Sequence, residues 1–152
     1  MDLIFALCLP RDGATVPVVR HVCRDALLKL GVEDGCVSDI EVAVTEACSN
    51  VLNHAEAQDE YQVEVEINDA RCVIRVVDAG DGFDHANVGF ESSSDTAESG
   101  RGVFLMRSMV DELNFNSEPE KGTVVRLVKN LSLKENSLLR VIAKNHAAAT
   151  GA

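Results

Sequence analysis

Glu46, Asn50 and His54 stand four residues apart within the segment 38–55. In a helix, residues four apart are turned only about 40° from one another and share one side. A carboxylate, an amide and an imidazole in one row can line a polar hollow. Carboxylate and carbonyl oxygens are also the ligands Mg²⁺ prefers, usually beside substrate phosphates. The same row equally fits an ordinary solvated helix face. A second cluster, Asp78-Ala-Gly80-Asp-Gly82-Phe83, comes directly after the apolar run 72–77. A carboxylate at a strand end can project into a cavity at the sheet edge, and Gly80 and Gly82 let a ligand approach the main chain. A plain loop rich in Asp and Gly is the alternative. A twelve-residue Ca²⁺ loop is excluded, because no Glu stands where its bidentate ligand belongs. The third cluster, Ser99-Gly100-Arg101-Gly102, precedes a helical pattern at Val103 to Val110. Free N–H groups at a helix start beside an arginine favour an anion. It is not a Walker loop, which ends in Gly-Lys-Ser/Thr. Nor is it a dinucleotide fingerprint, because no parallel βαβ unit surrounds it.

These residues need elements to hold them. Val37, Ile40, Val44, Ala47, Val51 and Ala55 recur at steps of three and four, which predicts a helix over 38–55 with Ser38 as N-cap after a loop at Gly35. One side of that helix packs, and the Glu-Asn-His row lies on another. A helix over 16–30 precedes it, with Val18, Val19, Val22, Ala26, Leu27 and Leu30 on its apolar side and Gly31 ending it. Tyr61-Gln-Val-Glu-Val-Glu-Ile67 alternates strictly and reads as a strand with one wet face. Residues 72–77 form its hairpin partner, so Asp78 falls at a strand end. Residues 2–9 form a short strand, and 113–117 and 123–128 two more. The long loop 79–100 is of a kind that is usually functional. The order predicts an α+β fold, a two-layer sandwich with helices on one face of a mixed, mostly antiparallel sheet. Residues 1–130 form the domain and 131–152 a C-terminal extension, partly helical or disordered.

Composition narrows the function classes. The chain has 152 residues, 46% hydrophobic and 26% charged, which suits a single globular domain. Its net charge of −11 repels phosphate backbones and disfavours direct nucleic-acid binding. With no Trp and one Tyr, base stacking on aromatics is also disfavoured. The same charge favours partners with basic surfaces. Five cysteines without C-x-x-C spacing argue against zinc and disulfide frameworks and fit a reducing cytoplasm. No apolar run is long enough to span a membrane, and residues 1–10 lack the basic segment of a signal peptide.

Taken in order, the clusters resemble a known family. The string Glu46-Ala47-Cys48-Ser49-Asn50-Val51-Leu52-Asn53-His54-Ala55 resembles the N box of the GHKL ATPase superfamily, which includes gyrase, heat-shock chaperone, histidine kinase and mismatch-repair ATPases. Its Glu-Ala-x-x-Asn-x-x-x-His-Ala form is similar to the branch of RsbW-like anti-sigma factor serine/threonine kinases. Asp78-x-Gly80-x-Gly82-Phe83 resembles the first glycine box, Gly100-x-Gly102 before Val103-Phe104-Leu105-Met106 the second, and Gly122-Thr123 the closing element. The likeness covers about residues 2–130. Glu56 departs from it, standing where an aromatic residue often comes after the His-Ala pair.

The resemblance implies a GHKL (Bergerat) ATPase sandwich with ATP between helices and sheet. It implies Asn50 as the Mg²⁺ ligand and Glu46 as general base toward a Ser or Thr hydroxyl. Asp78 would accept the adenine amino proton, with Thr123 close to the same ring. Gly80 and Gly82 would hold the adenine loop and lid hinge. Gly100, Arg101 and Gly102 would cover the phosphates, and His54 matches a motif position of the ATP site. The implied function is partner switching. The protein binds a sigma factor, or binds a STAS-type anti-anti-sigma factor and phosphorylates it with Mg-ATP. A nucleotide-gated binding module without phosphotransfer is the alternative. Arg20 and Arg24 project from one helix face and are either partner contacts or a solvated basic face. Residues 2–9 could pair as an edge strand across a homodimer.

Overall fold

Tyr61, Val63, Val65 and Ile67 are all buried, while Gln62 between them is exposed and Glu64 and Glu66 half-exposed. The alternation thus does what its period dictates. The computed structural model describes residues 2–54, 60–78, 97–118 and 122–150. Its strands are β1 (Leu3–Pro10), β2 (Glu60–Ile67), β3 (Arg71–Asp78), β4 (Glu112–Glu118) and β5 (Gly122–Asn130). They form one sheet in the order β1-β2-β3-β5-β4. The sheet, expected to be mixed and mostly antiparallel, is antiparallel at every pairing among the described residues. β1 and β4 are its edges, and Ile4 on β1 is 66% exposed.

The helices are α1 (Val16–Lys29), α2 (Asp34–His54), α3 (Ala97–Met109) and α4 (Leu138–Thr150). α2 is central, packing on β3 and β5 with α1 and α3 on either side. Its buried stripe is Val37, Ile40, Ala43, Val44, Ala47, Cys48 and Val51. α1 buries Val16, Val19, Cys23 and Leu27, one residue every third or fourth. Val18, expected on that apolar side, is instead 47% exposed, because the buried arc is centred on Val19 and Cys23.

Glycine stops α1 as expected. Gly31 has φ +88, Gly31 N donates to Leu28 O and Val32 N to Leu27 O, which together make a Schellman motif. α2 begins a turn earlier than its spacing indicates. Val37 N donates to Glu33 O at 3.1 Å, so Gly35 lies in the first turn and Ser38 within the helix rather than at its cap. The reason is remote in sequence: Glu33 N donates to Ser132 O at 2.8 Å, which fixes the helix entry from the segment after β5. No helix among the described residues is long and apolar enough to cross a membrane.

Candidate active site

Glu46, the first member of the polar row of α2, lies against α3. Glu46 is half-buried and meets Gly102. A Cβ built on Gly102 would stand 2.9 Å from Glu46 Oε2. Glycine within a helix costs about 1 kcal/mol relative to alanine, so its place here needs a reason. The carboxylate occupies the space a side chain would take. The first and third clusters of the sequence are therefore in contact.

Asn50, one turn beyond Glu46, is 7% exposed, and its Nδ2 finds no hydrogen-bond partner among the described residues. A buried amide left unmet costs on the order of 1–3 kcal/mol and calls for an explanation. A ligand-facing amide supplies one. Amide O and N exchange places by a flip, so Asn50 can present a hard carbonyl oxygen to the same spot. Such an oxygen, one turn from the Glu46 carboxylate, suits a hard cation such as Mg²⁺.

Asp78 ends β3 and is 1% exposed, and β3–β5 pairing sets it directly opposite Thr123. A fully buried carboxylate needs a counter-charge, and Arg11 provides it. Arg11 Nη1 lies 3.2 Å from Asp78 Oδ2, an ion pair without hydrogen-bond alignment. Arg11 Nη2 donates to Val51 O at 3.2 Å and to Leu52 O at 2.9 Å. Those carbonyls belong to the last turn of α2, where helix carbonyls lack partners of their own and carry partial negative charge. One guanidinium therefore ties the sheet carboxylate to the helix that carries Glu46 and Asn50. Sequence reasoning missed Arg11, because a lone arginine after Pro10 belongs to no spacing pattern.

On the outer side of α2, Arg20, Ser38, Glu41, Val42, Thr45 and Glu46 line a hollow of about 330 Å³. Arg20 borders this hollow, whereas Arg24 pairs with Glu41 at 3.5 Å and is half-exposed. Glu46 thus borders both this hollow and α3. The third cluster needs correction. Helix α3 starts at Ala97, so Gly100, Arg101 and Gly102 lie inside it instead of ahead of it, and Arg101 is exposed. The unpartnered N–H groups of the helix start accordingly belong to residues 97–100. Gly80, Gly82 and the side chains of His54 and Thr123 lie outside the described residues.

Three buried thiols, Cys23, Cys48 and Cys72, belong to the core itself. Burial pushes the Cys23 and Cys48 thiols up to about 12 and raises that of Cys72 as well. They are neutral apolar packing groups rather than nucleophiles.

Comparison with known proteins places the chain in a family. The family described as "Histidine kinase-like ATPase domain" matches residues 9–129. A serine-protein kinase RsbW of Bacillus velezensis is 29% identical over 135 residues, covering 82% of this chain and 83% of the relative. An anti-sigma F factor of Clostridium botulinum is 35% identical over 104 residues, covering 64% of this chain and 73% of the relative. Among solved structures, the RsbU and RsbW domains of a Mycobacterium tuberculosis protein superpose with a TM-score of 0.66 at 19% identity. That superposition covers 87% of this chain and 33% of the other, a likeness of fold.

Proposed function

Because the chain belongs to the histidine kinase-like ATPase domain family, we propose that it is a protein serine/threonine kinase that doubles as an anti-sigma factor. In one state it holds a sigma factor. In the other it binds a STAS-type anti-anti-sigma factor and phosphorylates a Ser or Thr of it with Mg-ATP. The observation that carries this reading is the contact of Glu46 with Gly102, one turn from the buried, unmet amide of Asn50. A base, a metal ligand and the phosphate-covering helix then converge on one place.

In the proposed reaction Glu46 accepts the proton of the substrate hydroxyl. The hydroxyl oxygen bonds to the γ-phosphorus as the bond from that phosphorus to the β–γ bridging oxygen breaks, and ADP leaves. Positioning and charge stabilisation supply most of the rate in such transfers. Asn50 holds Mg²⁺, which when bound offsets the phosphate charge. Asp78 accepts from the adenine amino group, with Thr123 across from it. Gly80 and Gly82 shape the base loop, while Gly100, Arg101 and Gly102 cover the phosphates, and His54 closes the row on α2.

The hollow beside Glu46 gives the substrate hydroxyl a route to the base, with Arg20 at its rim and Arg24 beyond as contacts for an acidic partner surface. The net charge of −11 suits the basic surfaces by which a sigma factor meets DNA. Such a partner puts the protein in the cytoplasm, where its cysteines stay reduced. The exposed edge of β1 is the surface through which two copies would pair into a homodimer. The test is incubation with labelled ATP and a STAS protein. Transfer of label to Ser or Thr is expected. ATP bound without transfer would reduce the protein to a nucleotide-gated binder.

A further inference from the structure

Reading the base end of a nucleotide pocket takes a carboxylate held in one orientation. Asp78 sits at the last position of β3, where the ladder with β5 ends, and it is buried to 1% exposure. Its carboxylate has a cationic partner in Arg11. Arg11 comes from a different strand end, just past Pro10 of β1, and reaches it across the start of β2. The guanidinium is itself fixed, since Nη2 is engaged by the carbonyls of Val51 and Leu52 while Nη1 faces Asp78 Oδ2 at 3.2 Å. A fork tethered through Nη2 to two helix carbonyls keeps its positive charge in one place, 3.2 Å from Asp78 Oδ2, and that charge draws the carboxylate to it.

We propose that Arg11 is a positioning residue for base selection. It orients the Asp78 carboxylate toward the exocyclic amine of a 6-aminopurine and locks that carboxylate to the helix carrying the metal ligand. This rests on reading the pocket as a nucleotide site. A 6-amino group donating to an oriented, charged acceptor is worth roughly ten- to a hundredfold in affinity. An acceptor drawn less firmly to one orientation loses part of that.

The test measures binding of ATP and of purine riboside 5′-triphosphate, the same ring without the amine, to the full chain and to Arg11→Met, Arg11→Lys and Asp78→Asn. The wild-type chain should prefer ATP by about ten- to a hundredfold, and Arg11→Met should cut the preference to about threefold or less. Arg11→Lys keeps a cation but not the fork and should fall between. Adding Arg11→Met to Asp78→Asn should reduce the preference no further, since both act through one carboxylate. Each variant is first melted. If Arg11→Met does not melt cooperatively, Arg11→Lys decides. A variant that weakens both triphosphates by the same factor, or keeps the wild-type preference while binding ATP, overturns the inference alone. Wild-type protein that binds neither triphosphate overturns the nucleotide reading and this inference with it.

Discussion

The two ends of α2 are held by different chemistry. At its start the contacts are backbone and tight packing. Glu33 N donates to Ser132 O, Lys134 N to Gly31 O and Leu139 N to Leu30 O. Ser137, 2% exposed, accepts from Arg140 N through its Oγ and presses on Gly31 so closely that no side chain would fit there. The Lys134–Asp34 ion pair on that end, at 3.3 Å, is exposed and adds little. At its far end the contacts are charges. A buried guanidinium joins a buried carboxylate and two helix carbonyls, and Asn50 has an unmet amide nitrogen among the described residues. Buried groups with incomplete partners are costly, and breaking a buried pair is costlier still. The start of α2 is closed for stability. Its far end keeps polar capacity in reserve for a ligand.

That contrast can be broken at either end. The largest effect belongs to the site. Glu46→Gln should lower phosphotransfer by about 10²–10⁴-fold, the usual contribution of a positioned base, with ATP still bound. Label transfer beside a binding titration checks this. Next comes Gly31→Ala at the closed end. Its Cβ would stand 2.4 Å from Ser137 Cβ and 2.6 Å from Ser137 Cα, at a φ of +88. Strain of this kind costs on the order of 1–3 kcal/mol, seen as a lower denaturation midpoint, while phosphotransfer per folded molecule is unchanged.

Alkaline pH probes the core between the two ends. The Cys23 and Cys48 thiols are raised from 9.0 to about 12 in the fold. The folded state thus favours the neutral form. Its stability is whole below pH 9 and drains as pH climbs from 9 toward 12. At about pH 10 each thiol should have lost on the order of 1 kcal/mol of its contribution, and Cys23→Ala should lose less stability than wild type between about pH 8 and 10. The smallest effect separates stability from function. Gly102→Ala should stabilise α3 by up to about 1 kcal/mol through helix propensity. Its Cβ would displace the Glu46 carboxylate and slow transfer by roughly tenfold. Paired melting and kinetic measurements would show the two moving in opposite directions.

Much of the scaffold was legible without coordinates. The two stripes of α2, the alternation of β2, the stop at Gly31 and the place of Asp78 at a strand end all come from residues within a turn or a pleat of one another. Of the candidate site, Glu46 and Asn50 lie on the helix and Asp78 at the strand end where that periodicity put them, whereas Gly102 lies inside α3 rather than ahead of it. The start of α3 was not legible, since glycines count against a helix until the Glu46 carboxylate is seen in their space. Nor was the early start of α2, whose entry is fixed by Ser132 from the segment beyond β5.

The sequence by itself determined which side of each element is apolar and which residue types could meet phosphate, metal and base. Only the tertiary structure decided that Arg11 would be the counter-charge of Asp78 and that Glu46 would lie on Gly102. Periodicity reports on neighbours along the chain. A buried ion pair between two strand ends exists only after β1, β2 and β3 have aligned and brought Arg11 within reach of Asp78.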